Sequence, residues 1–331
     1  MRISEIGEFG LIDLLADMVA RFEAKQPPNP RLLVGIGDDA AAWRVSDKIQ
    51  LATVDTMVEN VHFTLDTISY RQLGWKALAV NVSDIAAMAG VQDYALIALT
   101  LPDNTEVDNV RDFYEGLLEL CATLGMTVSG GNISRAPLFS VSITVLGSGR
   151  EDILLKRSAA RPGDVIAVTG YPGDAAAGLE ILSRKLDVSP EAKQRLTHAF
   201  LHPFPHVVQA QTIAKNGIKA AIDISDGLVS DLGHVCRASQ VSARLNVDLL
   251  PVSSLAEEAF GARARELALS GGEAYELLFT GPLENVRKAA DDITLPVTVI
   301  GEITSGDAGM VTLVDNNGNP VEIKNPGWRH F

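Results

Sequence analysis

The chain contains 331 residues, of which 47% are hydrophobic and 21% charged, and its formal net charge at pH 7 is −14. This length exceeds what one hydrophobic core usually supports, so we expect two domains, and the composition excludes wholesale disorder. Because the charge is acidic and no Lys/Arg cluster interrupts it, neither a nucleic acid nor an anionic membrane is expected as a partner.

The cysteines and the N-terminus favour a cytoplasmic protein. Cys121 and Cys236 each stand in an apolar, helix-like segment and are predicted to be buried free thiols. The first nine residues lack the basic start and apolar core of a signal peptide. The longest apolar stretch, 75–101, contains Asp84 and Asp93 and is not expected to span a membrane.

Hydrophobic periodicity predicts alternating helices and strands before residue 150. In chain order these are a helix over 8–24, strands over 31–36 and 49–55, a helix over 69–89, a strand over 94–101, a helix over 108–124, and strands over 126–129 and 138–146. Ser69 is the expected N-cap of the second helix, and Gly90 and Gly125 are the expected ends of the second and third helices.

The alternation restarts near residue 150. The predicted elements there are a turn over 161–164, a strand over 165–169, helices over 175–185, 190–200 and 206–214, a strand over 220–224, a helix over 226–239, a strand over 242–247, a helix over 255–269, a strand over 276–280, a helix over 283–292 and a strand over 294–300. We therefore predict an α/β (α+β) chain with one domain over 1–149 and a second over 150–331.

One acidic turn allows two interpretations. Gly35-Ile36-Gly37-Asp38-Asp39-Ala40 fits the G-x-G-x-x-A pattern of dinucleotide-binding turns, with Asp55, about 20 residues after its first glycine, as the ribose acid. Such a turn needs a crossover helix of at least about 10–12 residues, whereas only 41–47 precede the next predicted strand. Adjacent acids would also repel a pyrophosphate unless divalent cations lay between them. The spacing therefore favours a metal–phosphate site.

Further acidic residues also stand next to apolar runs or at predicted turns. Asp38, Asp55 and Asp223 follow apolar runs, Asp84 lies within a predicted helix, and Asp226 stands three residues after Asp223 at a strand-to-helix turn. Ser225 or Asp226 alone could be a helix cap. Two carboxylates at one rigid turn are better suited to a Mg²⁺ site that shares phosphate oxygens with a substrate.

Two glycine pairs offer backbone N–H groups to an anion, although each could be an ordinary turn: Ser129-Gly130-Gly131-Asn132 and Ser270-Gly271-Gly272-Glu273. No P-loop or protein-kinase motif is present. Arg157 is a candidate phosphate contact, with a surface role as the alternative. For His62, between apolar neighbours, a structural role is favoured on its own.

Longer motifs are similar to those of one enzyme family. They are Glu8-Phe9-Gly10, the segments 35–40, 55–63 and 74–88, Asp223-Ile224-Ser225-Asp226-Gly227-Leu228, Ser270-Gly271-Gly272-Glu273 and Gly327-Trp328-Arg329-His330-Phe331. With them the chain resembles, nearly end to end, the thiamine-monophosphate kinases of the aminoimidazole ribonucleotide synthetase superfamily. The resemblance implies a two-domain fold whose N-terminal sheets pair into a barrel across a homodimer. It also implies direct in-line phosphorylation of thiamine monophosphate by ATP, giving thiamine diphosphate.

The resemblance further implies roles for single residues, with no general base because the attacking phosphate oxygen is already ionised. The implied ligands of several Mg²⁺ ions are Asp38, Thr53, Asp55, Asp84, Asn132, Asp223 and Asp226. The implied ATP contacts are Tyr114, Gly131, Asn132, Arg157 and Ser225. The implied thiamine-side positions are His62, Glu273 and Trp328. Trp328 and Phe331 are aromatic groups suited to stacking on the thiamine rings.

Two departures from the family pattern leave alternatives open. The pattern G-G-D-T is Gly130-Gly131-Asn132-Ile133 here, and G-G-E-D-Y-E-L has Ala274 in place of its Asp. Asn coordinates through its carbonyl oxygen but neutralises less charge than a carboxylate. One alternative is a related ATP-dependent enzyme acting on another small phosphate or amide. The other is an attenuated or non-enzymatic nucleotide-binding homodimer.

Overall fold

The computed structural model describes residues 10, 12–13, 16–17, 21, 31–46 and 48–328, and its strands form two six-stranded sheets. The first sheet has the order β1-β2-β3-β6-β4-β5 and is antiparallel except between β4 and β5. Its strands are β1 (Leu32–Val34), β2 (Ala41–Val45), β3 (Lys48–Val58), β4 (Val91–Leu101), β5 (Thr127–Arg135) and β6 (Ser140–Gly149). The helices of this half are α1 (Tyr70–Ala87) and α2 (Val107–Leu124).

The second sheet has the order β12-β9-β11-β7-β10-β8 and is antiparallel except between β12 and β9. Its strands are β7 (Val165–Thr169), β8 (Ala220–Asp223), β9 (Ser242–Asn246), β10 (Leu277–Gly281), β11 (Val297–Thr304) and β12 (Val311–Val314). The helices of this half are α3 (Asp174–Arg184), α4 (Pro190–Leu201), α5 (Val207–Lys215), α6 (Leu228–Ser239), α7 (Ser254–Phe260), α8 (Arg263–Ser270) and α9 (Leu283–Asp292).

Helix α1 lies between the two sheets. It begins at a capping box, in which the Ser69 side chain accepts from the backbone N–H of Gln72 and the Gln72 side chain accepts from that of Ser69. The helix contacts β3 and β6 of the first sheet and β8 of the second. Its buried positions surround the helix instead of forming one stripe, as expected for a helix with apolar neighbours on every side. Polar side chains in the second half of α1, such as Ser83 and Asp84, are therefore carried to the junction of the sheets.

Helices α1 and α2 cross at two glycines. A Cβ on Gly74 would lie 1.8 Å from the carbonyl oxygen of Phe113, and one on Gly116 would lie 1.8 Å from that of Arg71. Real Cβ atoms do not come this close to backbone oxygens, so a side chain at either position forces the helices apart.

We expect Gly74→Ala to lower the free energy of unfolding by about 2 kcal/mol, because the added methyl group overpacks this crossing. The matched control is Gly233→Ala in α6, where the nearest atom to an added Cβ is 3.7 Å away. There, better helix propensity predicts no loss or a gain of up to about 1 kcal/mol. Denaturant unfolding of both variants measures the difference, and equal effects would contradict the crossing geometry.

Most predicted elements before residue 150 are confirmed, including Ser69 as N-cap and Gly125 as a left-handed helix end with φ 71°. The helix predicted over 8–24 lies largely outside the described residues. The predicted end at Gly90 is wrong, because α1 ends at Ala87 and the left-handed residue is Ala89, with φ 57°. Gly90 instead permits close packing, since a Cβ there would lie 2.3 Å from Leu51 Cδ1.

Other differences concern strands and one helix. The segment 130–132 is not a turn but continues β5, and Asp55 lies within β3 instead of at its end. The helix predicted over 255–269 is divided into α7 and α8 by Gly261, whose φ of 55° ends α7. Strand β12 was not predicted. Cys121 and Cys236 are buried and unpaired, as predicted. No helix within the described ranges is long and apolar enough to cross a membrane.

Candidate active site

Three carboxylates meet where the two sheets approach α1. Carboxylate oxygens of Asp39, Asp84 and Asp223 all lie within 4.8 Å of one another. Asp39 precedes β2, Asp84 projects from α1 and Asp223 ends β8, so each comes from a different part of the chain. Asp39 and Asp223 are 7% and 2% exposed. We refer to Asp39, Asp84 and Asp223 as the acid cluster.

Neighbouring polar groups orient the acid cluster. The Thr53 hydroxyl donates to Asp84 Oδ2 at 2.6 Å, and the Ser83 hydroxyl donates to Asp223 Oδ2 at 2.6 Å. The buried Asn81 accepts from the backbone N–H of Asp55 at 2.8 Å through Oδ1. Ser83 and Asn81 were not among the predicted site residues, although polar residues in so apolar a helix were a signal for them. Helix α1 thus supplies one cluster member, Asp84, the hydroxyl that holds a second, Asp223, and the amide that holds the backbone of Asp55.

Crowding and burial oppose ionisation of these acids. Burial, followed by the charge of Asp39, raises the pKa of Asp223 to about 8. Burial, followed by the charges of Asp55 and Asp223, raises the pKa of Asp84 well above its usual value. A bound cation reverses this balance, because it favours the charged form of every carboxylate around it.

The donor set fits a hard divalent cation. Asp39 Oδ1 pairs with the Arg157 guanidinium at 2.6 Å, but Asp39 Oδ2 is buried and accepts no hydrogen bond. A buried carboxylate oxygen without a donor is costly unless something positive contacts it. Oxygen atoms of three carboxylates within 4.8 Å are the ligand type that Mg²⁺ prefers.

The two adjacent aspartates of the first acidic turn have different surroundings. Asp38 accepts from its neighbour's backbone N–H at 3.0 Å and from the backbone N–H of Arg157 at 3.2 Å, so it fastens the turn to the Arg157 segment. Burial, followed by the charge of Asp39, raises the pKa of Asp38 to about 7. The structure brings Asp39 into the acid cluster, whereas the sequence prediction named Asp38; a ligand role for Asp38 stays a prediction.

The second acidic turn, 223–227, lies beside the acid cluster. Its Asp226 carboxylate groups with Asp231 and His234, not with the acid cluster, at the same 4.8 Å limit. A single ion shared by both aspartates of this turn stays a prediction. Asp55 is exposed on β3, yet its charge contributes to the raised pKa of Asp84, which places it nearby.

Two of the predicted thiamine-side residues adjoin the second acidic turn. Glu273 donates its backbone N–H to Ser225 O at 2.7 Å, and Trp328 donates its own to Asp226 O at 2.9 Å. The Glu273 side chain pairs at 2.8 Å with Lys76, which is 1% exposed and whose Nζ lies 3.3 Å from the centroid of the Phe200 ring. An ion pair between α1 and the segment 271–276 thus joins the two halves of the chain next to the site.

Other predicted residues have contacts outside the acid cluster. His62 Nδ1 accepts from the backbone N–H of Val58 at 3.0 Å in the turn after β3. The Tyr114 ring packs edge-on against Phe113 at 5.8 Å. Gly131 lies on the edge strand β5, in one row with Ile97, Ile143 and Asp55. Three strand spacings separate the ends of that row, about 14 Å. Within one chain, Gly131 and the adjacent Asn132 are therefore set apart from Asp55.

The sequence matches a two-part family description. Residues 37–148 match the N-terminal domain of AIR synthase related proteins, and residues 161–314 match the C-terminal domain. Thiamine-monophosphate kinase of Escherichia coli (strain K12) is 40% identical over 336 aligned positions, covering 98% of each chain. Thiamine-monophosphate kinase of Aquifex aeolicus (strain VF5) is 36% identical over the full length of both chains.

The fold points to the same family. A solved structure of AaThiL complexed with AMPPCP and TMP superposes with a TM-score of 0.87 at 35% identity, covering 100% of this chain and 99% of that one. Both halves of the sequence, the near-complete coverage and the fold therefore agree with the resemblance found in the motifs. The chain belongs to the thiamine-monophosphate kinase family, within the AIR synthase related proteins.

Proposed function

We propose that this protein transfers the γ-phosphoryl group of ATP directly to thiamine monophosphate, forming thiamine diphosphate. The chain is similar over nearly its whole length to two thiamine-monophosphate kinases. The observation that carries the proposal is the acid cluster, in which Asp39 Oδ2 is buried without a hydrogen-bond donor. Such a cluster suits a reaction in which two polyanions must approach each other.

Asp39, Asp84 and Asp223 would hold Mg²⁺, which when bound neutralises phosphate charge and aligns the reacting oxygens. The chain's own groups prepare this arrangement: Thr53 and Ser83 fix two carboxylates by hydrogen bonds of 2.6 Å. The Arg157 guanidinium, paired with Asp39, adds positive charge at the edge where phosphates would enter. The attacking phosphate oxygen is ionised at neutral pH, so no side chain has to remove a proton.

On the acceptor side we propose Glu273 and Trp328 as thiamine contacts. Trp328 is 52% exposed, and its backbone N–H donates to Asp226 O, which places this residue at the surface beside the second acidic turn. The thiazolium ring of thiamine is a cation, and an indole face attracts cations. The Glu273 carboxylate adds a negative charge on the same side.

We expect Trp328→Ala to raise KM for thiamine monophosphate about tenfold, the loss of one cation–π or stacking contact. KM for ATP should stay within about twofold, because the nucleotide contacts lie elsewhere; this is the internal control. Steady-state kinetics with each substrate varied in turn makes the measurement. A Phe replacement should keep part of the affinity, and equal changes in both KM values would contradict an acceptor-side role.

A homodimer is the proposed assembly, with two domains over 1–149 and 150–331 in each copy. The outward face of the first sheet supports it. Val54 and Leu96 lie in one row across β3, β6 and β4, with Tyr94 on the same face, and these side chains are 60%, 40% and 52% exposed. Exposed apolar patches of this kind on a sheet favour pairing with a second copy. Light scattering of wild type and Val54→Asp tests this, since the added charge should produce monomers.

The decisive experiment is an assay of purified protein with Mg·ATP and thiamine monophosphate. We expect stoichiometric formation of thiamine diphosphate and ADP. Turnover of a different small phosphate or amide in competition with thiamine monophosphate would favour the related-enzyme alternative, and no product at saturation would overturn the proposal. Asn132 and Ala274 motivated an attenuated homologue, but neither removes a member of the acid cluster.

A further inference from the structure

One buried carboxylate holds the second acidic turn from inside. Asp231, in the first turn of α6, is 2% exposed. Its Oδ2 accepts from the backbone N–H groups of Ser225 at 3.0 Å, Asp226 at 3.1 Å and Gly227 at 3.1 Å. Three consecutive N–H groups of the turn therefore point at a single oxygen atom. Asp231 lies outside the motif of this turn, which ends at Leu228.

The carbonyl groups of the same turn point to the acceptor side. Ile224 O accepts from Tyr275 N at 2.8 Å, Ser225 O from Glu273 N at 2.7 Å and Asp226 O from Trp328 N at 2.9 Å. The close approach depends on glycine, since a Cβ on Gly272 would lie 2.6 Å from Ser225 O. The N–H groups of the turn are thus used by Asp231, and its C=O groups by the segments that carry Glu273 and Trp328.

The turn consequently connects two sets of groups. At its start Asp223 belongs to the acid cluster, and along its length the backbone fixes Glu273 and Trp328. We propose that Asp231 is a positioning residue that holds the turn 223–227 in the one conformation serving both the divalent-cation side and the acceptor side. The acceptor part of this inference rests on the proposed function.

Helix capping alone does not account for these contacts. Gly227 is the N-cap of α6 and has no side chain, so an acid four residues later that reaches back to its N–H resembles a capping box. Two of the three donors, however, belong to Ser225 and Asp226, which precede the helix. A cap would stabilise α6 without changing ligand affinity, whereas a positioning residue changes the affinity of groups that it does not touch.

The test uses Asp231→Ala and Asp231→Asn in the full chain, with Asp315→Ala as the matched control. Asp315 also fastens a turn by accepting backbone N–H groups, from Asn317 at 2.9 Å and Asn319 at 2.8 Å, but that turn follows β12, away from the acid cluster. Two affinities are measured: Mn²⁺ alone by electron paramagnetic resonance titration, and thiamine monophosphate by calorimetry with Mg²⁺ and AMPPCP present. Circular dichroism verifies folding.

We expect Asp231→Ala to raise both dissociation constants at least tenfold, because three N–H groups lose their acceptor. Asp231→Asn should raise both by about three- to tenfold, since a neutral amide oxygen accepts more weakly than a carboxylate. Asp315→Ala should leave both within twofold. If Asp231→Ala does not fold, Asp231→Asn decides: both constants within twofold of wild type would overturn the proposal and leave only a capping role.

The outcomes separate this inference from the proposed function. A rise in the Mn²⁺ constant without a rise in the acceptor constant would overturn the joint role of the turn. If wild-type protein binds no thiamine monophosphate, the proposed function fails. In that case the Mn²⁺ titration, which involves no acceptor, still supports or overturns the positioning of the cation side by Asp231.

Discussion

Replacing Asp39 by Asn will lower kcat/KM for phosphoryl transfer by about 10³-fold, whereas Asp38→Asn will lower it by no more than about tenfold. Asp39 lies in the acid cluster, and its Oδ2 is buried without a hydrogen-bond donor. An amide there supplies one oxygen and no charge, and its NH₂ group can face where a cation would bind. Asp38 instead accepts backbone N–H groups, a role that an amide oxygen partly keeps.

The comparison of Asp39→Asn with Asp38→Asn includes a check on folding. In the absence of divalent cations, Asp39→Asn weakens the repulsion among the clustered carboxylates but also removes the charge that pairs with Arg157, so circular dichroism should show a folded protein whose thermal midpoint lies within several degrees of that of wild type. Steady-state kinetics with Mg²⁺ varied, together with thermal unfolding in EDTA, provides both measurements. Equal losses of activity in the two folded variants would show that the acid cluster is assigned to the wrong aspartate.

The second large effect is a loss of stability with rising pH in the metal-free protein. Burial raises the pKa of Asp223 to about 8 and that of Asp84 well above its usual value. Between pH 6.5 and 8 the unfolded chain has already released these protons, while folded Asp223 releases its proton only towards the upper end of this window. The free energy of unfolding therefore falls as pH rises through the window, by about 2 kcal/mol for Asp223, and the raised pKa of Asp84 acts in the same direction.

The window begins at pH 6.5 to limit the opposing contribution of His234. Burial lowers the pKa of His234 to about 4, so this side chain is neutral in the folded chain throughout the window, and its effect ends as the unfolded chain loses its last histidine protons above about pH 7. Thermal unfolding in EDTA should show a midpoint that falls by about 5 °C from pH 6.5 to 8. Saturating Mg²⁺ should raise the midpoint and flatten its pH dependence, because a cation favours the charged carboxylates.

Asp223→Asn is the matched variant for this effect. It removes one of the titrating groups and weakens the repulsion on Asp84, so the fall in midpoint should shrink to less than half that of wild type. Asp315→Ala, far from the acid cluster, should keep the wild-type fall. The same slope in Asp223→Asn as in wild type would mean that other groups cause the pH dependence.

Local patterns were sufficient for much of the fold and for the family. The short link after Asp39 excluded a crossover helix, and β1, β2 and β3 indeed pair antiparallel. Caps such as Ser69 and Gly125 act within one turn of chain, so their residue types predict helix ends directly. The family motifs are contiguous stretches as well, and the comparisons confirm the family.

Contacts between residues that are distant in sequence decided the remaining features of the fold and of the site. Adjacent residues in an extended segment point to opposite sides, so spacing alone did not choose between Asp38 and Asp39. Ser83 reaches Asp223 across 140 positions, and Lys76 reaches Glu273 across 197. Asp231 resembled any helical acid until three backbone N–H groups were found on one of its oxygens.

The sequence by itself therefore determined the kind of site, because acids at turns and glycine pairs are residue types that bind cations and phosphates, and both are visible in short stretches of sequence. Only the tertiary structure decided which acids share that site. Helix α1 packs between the sheets and brings Asp84 between Asp39 and Asp223, and such an encounter depends on packing that no short stretch of sequence contains.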